Sequence, residues 1–388
     1  MRIGIDCSLV AGDRTGIGHY CYQLVHALSR IDHDNQYILY PVFYHIYHPH
    51  YRQSPLPQTP KMQIAFQAMP AILLRLLRHR DSPWLVREWL LGQVDVVHST
   101  NYSAPRFRDR YKRLVMTIYD LSFLVYPEFH LPQNVENALR GTKEAIARKD
   151  TLITISSHTR QELIERMGVS PDRIIVTQLA PTLEKVSLQD PQHIRQVRER
   201  YRLPENFILF VGSLEPRKNI PRLVTAYARL ASTLQREFHL VLAGGSGWLN
   251  EDIQETIQRL GLSDRVHIIG YVEEKSLPVL YSLATVFVYP SLYEGFGLPV
   301  LEAMQCGVPV LTSNVSSLPE VAGDAALLVM PTEIDDIAYG LRQLLENADL
   351  RAELRARGYQ RAREFSWERC ARETLAVYKN VYDNLSHS

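Results

Sequence analysis

A short stretch of the chain, Ser291 to Gly307, combines two carboxylates with a glycine-rich turn. Glu294 falls in the predicted turn and Glu302 in the element that follows it, with seven residues between them. An ionised carboxylate repels a phosphate, but it accepts hydrogen bonds from hydroxyl groups such as those of a sugar. The sequence therefore predicts one turn with two carboxylates close to it, each of which can accept hydrogen bonds from hydroxyl groups.

The elements that must position these carboxylates follow from the flanking residues. The apolar run Ala284–Tyr289 predicts a buried strand before the turn. Pro299 suits the first turn of a helix, where its missing N–H costs nothing, and Gly307 suits the helix end. Gly295 and Gly297 let a ligand approach the backbone, and the N–H groups of the helix start favour an anion such as a diphosphate. Phosphate donors beside hydroxyl acceptors indicate a nucleotide-sugar site, although the spacing alone also fits an ordinary strand–loop–helix unit with two solvated glutamates.

The residue identities in this stretch favour the functional interpretation. The segment E-G-F-G-L-P-V-L-E-A-M resembles the E-x7-E signature of the retaining glycosyltransferases of family 4, which have the GT-B fold. The resemblance implies that Glu294 lies by the donor sugar and that Glu302 accepts hydrogen bonds from the ribose hydroxyls. It also places four further residues around the donor, namely Gly295, Phe296, Gly297 and Leu298.

Two adjacent cations, Arg217 and Lys218, follow a strand predicted at Phe207–Val211. An arginine can bind two phosphate oxygens at once, so the pair suits a diphosphate, and the alternative is a solvated basic pair. The surrounding G-S-L-E-P-R-K-N resembles the phosphate-binding segment of the same family. The resemblance implies that Gly212, Arg217 and Lys218 bind the donor and that both cations stabilise charge on the leaving diphosphate.

Three other loops are donor-side candidates. Predicted strands end at Gly244 and just before Tyr271 and Val272. In the resembled family the corresponding loops border the nucleotide, and the residue after the glycine contacts the base. The loop that holds Gly16 and Gly18 lies near the donor phosphates and the acceptor in that family, whereas the alternative is a pair of ordinary turn glycines.

Polar residues follow three predicted strands of the first half of the chain. Asn101, Asp120 and Ser156 each come just past a carboxyl end, which is where ligands bind in open α/β sheets. All three are acceptor-side candidates, and a turn or N-cap role is the alternative for each, one that Asp120 and Ser156 fit well. The segment at Asp120 resembles the family's T-x-H-D-L motif, with Tyr119 where His is common. A role that needs a titrating imidazole is therefore in doubt, whereas Asp120 keeps a carboxylate that would orient the acceptor or stabilise positive charge on the sugar.

The composition excludes several classes of protein. Lys+Arg 43 against Asp+Glu 42 gives a net charge of +1, which offers no global argument for nucleic-acid binding. The four cysteines are scattered, so we expect reduced thiols of a cytoplasmic protein and no cofactor. No metal is expected either, because Arg217 and Lys218 can supply the charge of a divalent ion. We also expect neither a secretory signal at Met1 nor a membrane span of roughly 18 apolar residues.

The 388 residues suffice for two domains, and alternating strand and helix patterns predict α/β domains with parallel sheets. The resemblance implies two Rossmann-like domains that face each other across a cleft. We place an acceptor-side domain at 1–190, a nucleotide-sugar domain at 191–365 and, at 366–388, a helix that packs back on the first domain. The segment 70–92 predicts two short helices rich in Trp, Leu and Arg, which suit either an anionic membrane surface or an ordinary solvated face.

The resemblance implies transfer of a sugar, with retention, from a nucleoside diphosphate sugar to a hydroxyl of a glycan or lipid-linked acceptor. The leaving phosphate can take the acceptor proton in such enzymes, so no general base is required. Both motif forms look most like bacterial mannosyltransferases of polysaccharide assembly, which favours GDP-mannose as the donor. The alternatives are a sugar-nucleotide epimerase or phosphorylase of the same fold, or a non-catalytic glycan-binding relative.

Overall fold

The computed structural model describes residues 1–10, 16–40, 56–64, 94–102, 114–183, 190–245 and 251–383. The chain divides into two compact units. Unit 1 comprises Met1–Leu179 with Ser366–Ser388, and unit 2 comprises Ala180–Phe365. The division between the units falls after Leu179. The boundary predicted from the sequence was near residue 190. The segment 70–92, with the membrane-surface hypothesis that it carries, lies outside the described residues.

The described part of unit 1 contains a parallel sheet. Its strands are β1 (Arg2–Asp6), β2 (Gln36–Tyr40), β3 (Met62–Ile64), β4 (Val96–Ser99), β5 (Leu114–Ile118), β6 (Thr151–Thr154) and β7 (Ile174–Val176). They lie in the order β3-β2-β1-β4-β5-β6-β7, and each neighbouring pair is parallel. The chain reverses its direction of travel across the sheet at β1, so β1 and β4 flank a topological switch point, where open α/β sheets bind ligands.

Helices cover this sheet. They are α1 (Gly16–Ile31), α2 (Ser122–Val125), α3 (Pro132–Ala147), α4 (Ser157–Met167) and the terminal helix (Trp367–Asp383). The terminal helix packs against α1, which confirms the prediction that it returns to the first domain. Both helices turn apolar faces inward, for example Leu24 and Leu28 of α1 and Val377 of the terminal helix.

A buried polar network ties the terminal helix to the unit 1 sheet. Nδ1 of His98 lies 2.7 Å from the Tyr378 hydroxyl, and Nε2 lies 2.8 Å from Oγ1 of Thr117. Thr117 Oγ1 in turn lies 3.2 Å from the hydroxyl of Tyr20 on α1. Burial lowers the pKa of His98 to about 3, so the imidazole is neutral at physiological pH.

Unit 2 has its own parallel sheet within the described residues. Its strands are β8 (Phe207–Val211), β9 (His239–Ala243), β10 (Val266–Gly270), β11 (Val286–Tyr289), β12 (Val310–Ser313) and β13 (Ala326–Val329). The order is β10-β9-β8-β11-β12-β13, and every pairing is parallel. The switch point here lies between β8 and β11, the two strands that precede the predicted cations and Glu294.

The helices of unit 2 alternate with these strands. They are α5 (Pro191–Tyr201), α6 (Ile220–Ala228), α7 (Ser232–Glu237), α8 (Glu251–Arg259), α9 (Leu277–Leu283), α10 (Leu298–Gln305), α11 (Leu318–Ala322), α12 (Ile334–Glu346) and α13 (Ala348–Arg363). The two sheets with their covering helices confirm the predicted α/β class.

Arginines of α13 donate to backbone carbonyls where other helices end. Nε of Arg355 donates to the carbonyl of Gly307 (2.9 Å), just past α10, and Nε of Arg361 donates to the carbonyl of Val321 in α11 (3.0 Å). Gly307, with φ of 73°, ends α10 as predicted. Since the last carbonyls of a helix lack intrahelical partners, these bonds fix the C-terminal ends of the two helices that follow β11 and β12.

Candidate functional site

The predicted strand–loop–helix unit is present, with β11 leading through residues 290–297 into α10. Gly297 is the N-cap residue of α10 and has φ of 108°, and a Cβ there would lie 2.7 Å from Cδ2 of Leu318. Glycine is therefore required both by the backbone and by packing. Pro299 lies in the first turn of the helix, as predicted.

Two serines that were not among the predicted site residues form hydrogen bonds with the backbone of this loop. The N–H of Glu294 donates to Oγ of Ser316 (3.0 Å). The hydroxyl of Ser317 donates to the carbonyls of Glu294 (2.8 Å) and Phe296 (2.9 Å). The ring of Phe296 is buried against Phe365, edge to face, so its side chain stabilises the loop and is not available to a donor. The loop is thus pinned from the segment before α11.

The structure brings the predicted cations and Glu294 together in one buried charge cluster, which we define as Glu215, Arg217, Lys218 and Glu294. Arg217 Nη1 donates to Glu294 Oε2 (2.7 Å) and to the carbonyl of Tyr293 (2.8 Å). Arg217 Nη2 donates to Glu215 Oε1 (2.6 Å), and Lys218 Nζ donates to Glu294 Oε1 (2.6 Å). The alternative of a solvated basic pair is therefore wrong, since Lys218 is only 7% exposed.

Tyr289 at the end of β11 completes the surroundings of Lys218. Its hydroxyl accepts from Nζ (2.6 Å), and the same nitrogen lies 5.0 Å from the centre of the tyrosine ring. A cation near an aromatic face and a hydroxyl acceptor is stabilised by both contacts. Burial raises the pKa of Tyr289 well above its ordinary value, as does the charge of Glu294, so Tyr289 acts as a neutral hydroxyl.

The charges of the cluster balance, two cations against two carboxylates. Burial alone would raise the pKa of Glu294, but Arg217 and Lys218 outweigh it and bring that pKa down to about 2. Burial and the neighbouring Arg217 lower the pKa of Lys218, while the carboxylates act in the opposite direction. Carboxylates of the protein itself therefore balance the positive charges that suit a diphosphate.

Glu302 has a different environment, with hydroxyl donors and no cation among its hydrogen-bond partners in the described residues. Thr182 Oγ1 donates to Oε1 (2.6 Å), and the Tyr281 hydroxyl donates to Oε2 (3.3 Å). Glu302 is 8% exposed, and burial raises its pKa, although the Thr182 and Tyr281 hydroxyls oppose the shift. A buried carboxylate held by hydroxyls has the chemistry expected of a partner for ribose hydroxyls.

The other donor-side candidates surround the carboxyl ends of β8, β9 and β10. Gly212 and Gly244 pack backbone against backbone, because a Cβ on Gly244 would lie 1.9 Å from the carbonyl oxygen of Gly212. Tyr271 is 69% exposed just past β10, whereas the side chain of Val272 is buried. Tyr271 can therefore offer its ring to a base, and Val272 can offer only its backbone.

The acceptor-side candidates lie at the carboxyl ends of β4, β5 and β6. Asn101 donates from Nδ2 to Oδ2 of Asp6 (2.6 Å), which is fully buried at the end of β1 and was not predicted. Asp120 is half-buried, and its Oδ1 accepts from the N–H (2.9 Å) and hydroxyl (2.7 Å) of Ser122. These bonds agree with the turn role for Asp120. Neither of the two involves its Oδ2 atom.

Two predictions for unit 1 need correction, those for Ser156 and for the Gly16–Gly18 loop, whereas the expectation for Tyr119 agrees with the structure. Ser156 is fully buried and its Oγ accepts from the N–H of Thr159 (3.1 Å), so it is the N-cap of α4 and cannot meet an acceptor. Gly16 and Gly18 lie in the first turn of α1, not in a loop before it. Tyr119 is buried and donates to the carbonyl of Thr100 (2.6 Å), while burial raises its pKa well above its ordinary value. Tyr119 therefore supplies no titrating group.

The described residues contain neither a cluster of metal ligands nor a helix that could span a membrane. No group of three or more His, Cys, Asp or Glu side chains there could hold a metal ion. None of the described helices is long and apolar enough to cross a bilayer.

Two units, each with a parallel sheet covered by helices, are the architecture of the GT-B class of glycosyltransferases. Residues 194–361 match the family described as Glycosyl transferases group 1, and residues 14–179 match Glycosyltransferase Family 4. The chain is 37% identical over 306 residues to O-antigen chain mannosyltransferase B of Escherichia coli, which covers 79% of this chain and 78% of that protein. The chain therefore belongs to the family 4 glycosyltransferases.

Solved structures of low sequence identity share the fold. Sucrose-phosphate synthase from Thermosynechococcus elongatus superposes with a TM-score of 0.74 at 23% identity, over 99% of this chain and 100% of that one. HepE from Anabaena, solved with UDP-glucose, superposes with a TM-score of 0.68 at 18% identity, over 100% of this chain and 99% of that one. At such identities the likeness supports the fold and not the substrate.

Proposed function

We propose that this glycosyltransferase moves a mannosyl group from GDP-mannose to a hydroxyl of a glycan or lipid-linked acceptor, with retention of the anomeric configuration. The observation that carries the proposal is the buried charge cluster at the switch point of unit 2. The mannosyl preference and the glycan acceptor are supported by the 37% identity to a mannosyltransferase of O-antigen chains.

Donor binding requires an exchange of anions in the charge cluster. Glu294 occupies both Arg217 Nη1 and Lys218 Nζ, the donors that suit a diphosphate. When the diphosphate takes these positions, the Glu294 carboxylate is released to accept from hydroxyls of the donor sugar. Arg217 and Lys218 then stabilise the charge that develops on the leaving diphosphate, and positioned cations of this kind supply a large part of many rate enhancements.

The geometry supports a proposal for each of the remaining donor contacts. Glu302 accepts from the ribose hydroxyls, a role that its present partners, the hydroxyls of Thr182 and Tyr281, make chemically reasonable. The exposed ring of Tyr271 stacks on the base, and the close backbone packing at Gly212 and Gly244 keeps side chains away from that edge. The start of α10 directs backbone N–H groups at the diphosphate.

The acceptor binds at the carboxyl edge of the unit 1 sheet. Asp120 and Asn101 are the described polar residues there that remain partly exposed among those predicted. Asp120 orients the acceptor or stabilises positive charge on the sugar, and the leaving phosphate takes the acceptor proton. We propose that no metal is needed, since Arg217 and Lys218 supply the positive charge.

Sugar-nucleotide screening tests the function directly. The protein is mixed with GDP-mannose, UDP-glucose and ADP-glucose, and ligand binding is measured as a rise in thermal stability. Transfer to a mannose-terminated oligosaccharide is then followed by NMR, which gives both the product and its anomeric configuration. We expect α-linked mannosyl product from GDP-mannose alone.

Three outcomes of this screen contradict the proposal. Epimerised donor without transfer indicates the epimerase alternative, and formation of a sugar phosphate indicates the phosphorylase. Glycan binding with neither donor binding nor turnover indicates a non-catalytic relative. As a matched control, Asp335→Asn alters an exposed ion pair with Arg229 in unit 2 and should leave transfer unchanged.

A further inference from the structure

Glu215 is a member of the charge cluster that neither the motif resemblance nor the proposed donor contacts assign. Its Oε1 accepts from Arg217 Nη2 (2.6 Å), and both side chains are largely buried, with exposed fractions of 7% and 16%. The two residues flank Pro216, whose ring fixes one backbone angle of the short turn Pro216–Lys218. The N–H of Lys218 donates to the carbonyl of Glu215 (3.0 Å), so the turn places the carboxylate beside the guanidinium.

The two ends of the Arg217 guanidinium have different partners. Nη1 faces Glu294 and the carbonyl of Tyr293, and Nη2 faces Glu215. The proposed donor exchange removes Glu294 from Nη1, and a long side chain that loses a charged partner gains rotamer freedom that must be lost again in the transition state. Glu215 lies on the other end of the guanidinium, and the exchange does not require it to move.

We propose that Glu215 is a positioning residue of the donor site, which holds the guanidinium of Arg217 in place while Glu294 and the donor diphosphate exchange. The inference rests on the proposed function, because it concerns the same donor site. It differs from a purely structural role in one respect: the contribution of Glu215 to turnover passes through Arg217. Removing Glu215 should therefore matter only while the arginine is present.

A double-mutant cycle measures this coupling. Wild type, Glu215→Ala, Arg217→Gln and the double variant are compared for kcat and for GDP affinity by calorimetry. We expect Glu215→Ala to lower kcat about tenfold in the wild-type background, the scale of one charge-assisted hydrogen bond, and less than twofold in the Arg217→Gln background. Glu215→Gln, which keeps an acceptor for Nη2, should recover most of the lost kcat.

The results that overturn the inference are specific to it. An equal loss of kcat in both backgrounds indicates that Glu215 acts independently of Arg217, and an unchanged kcat in Glu215→Ala indicates no role. If Glu215→Ala does not fold, the cycle is run with Glu215→Met, which keeps the length of the side chain but removes the acceptor for Arg217 Nη2, and additive effects again refute coupling. The exposed pair Asp335 and Arg229 serves as the matched control and should change neither kcat nor GDP affinity.

The same cycle separates this inference from the proposed function. A wild type that transfers mannose while Glu215 and Arg217 act additively contradicts the positioning role alone. A wild type that binds GDP with coupled Glu215 and Arg217 but transfers no sugar contradicts the proposed function and leaves the positioning role supported.

Discussion

Replacing Glu294 with Gln should destabilise unit 2 by about 3 kcal/mol in the absence of a donor. The pKa of Glu294 lies at about 2, against an ordinary value of 4.5. At ~1.4 kcal/mol per unit, that difference corresponds to roughly 3 kcal/mol of stabilisation by the neighbouring cations. The carboxylate is 6% exposed, so solvent screens it little, and loss of one partner from a buried ion pair is known to cost about this much.

The pH dependence of the effect has a definite sign. Because the pKa of Glu294 is lower in the folded protein than in the unfolded chain, the carboxylate stabilises the fold fully above about pH 4.5. The stabilisation is lost as the pH falls from 4.5 toward 2, where the folded protein also takes up the proton. Wild type and Glu294→Gln should therefore differ most at neutral pH and converge in acid.

Hydrogen exchange measured on peptides from residues 286–305 is the suitable assay, since a chain of two units need not unfold in one step. Comparing the variant with wild type at each pH cancels the intrinsic exchange rates. At pH 7 a difference of 3 kcal/mol corresponds to about a hundredfold faster exchange in the variant. Asp335→Asn removes one partner of an exposed ion pair. It should change the free energy of local opening, derived from the exchange rates, by less than about 1 kcal/mol.

Two results would refute this reasoning about the charge cluster. Equal protection of wild type and Glu294→Gln at pH 7 would mean that the ion pairs between this carboxylate and the cations do not stabilise unit 2. A difference that persists undiminished at pH 2 would mean that the lost stability comes from packing or hydrogen bonding of the side chain and not from its charge.

Three further predictions concern the cations, the second glutamate and unit 1. Lys218→Ala should lower kcat by about 10²–10³, as for loss of one preorganised donor, while EDTA leaves wild-type activity intact; activity lost in EDTA and restored by Mg²⁺ would reveal a metal site. Glu302→Ala should weaken donor binding by about 1.5–3 kcal/mol, measured by calorimetry. An unchanged Kd would contradict the proposed contact between Glu302 and the ribose. The folded-state pKa of His98, about 3 against an ordinary 6.5, means that the unfolded chain binds a proton that the folded protein excludes. Unit 1 should therefore lose up to ~1.4 kcal/mol per pH unit as the pH falls from 6.5 toward 3, measured by hydrogen exchange in the terminal helix, and a His98→Gln variant with the same slope as wild type would contradict this.

Much of the fold could be predicted because buried parallel strands are continuous apolar runs. The strand predicted at Phe207–Val211 matches β8, and the apolar run predicted at Ala284–Tyr289 contains β11. The three-residue strands β3 and β7 were missed. Met62–Ile64 and Ile174–Val176 are too short to produce a periodic signal, and pairing with β2 and β6 determines their conformation.

The residues of the candidate donor site were named one by one from the sequence, but their arrangement was not predicted. Glu294 and Lys218 were both named, yet their contact depends on β8 and β11 lying side by side, which no local pattern reveals. The role predicted for Glu294 was therefore to bind sugar hydroxyls, and its neutralisation of the cations was not predicted. Glu215 and Ser317 gave no signal, because a glutamate before a proline and a serine before a helix are both common.

The acceptor side shows how ordinary local chemistry competes with function. Ser156 has the position and residue type of a ligand-binding residue, but the same features suit an N-cap, and the structure gives it that role. Asp120 also accepts from the backbone two residues ahead, yet it is not fully buried. Burial, which depends on the packing of distant elements, is what distinguishes these two candidates.

The packing of the terminal helix on α1 determines when unit 1 can be completed during synthesis of the chain. Unit 2 is continuous in sequence, whereas unit 1 joins Met1–Leu179 to a segment that begins at Ser366. A ribosome synthesises the whole of unit 2 before Tyr378 is available to His98, so the apolar face of α1 stays uncovered during that time. At about 5–20 residues per second, the 186 residues from Ala180 to Phe365 take roughly 10–40 seconds to make. The part of the protein that is synthesised first is therefore completed last, when the terminal helix covers the apolar face of α1.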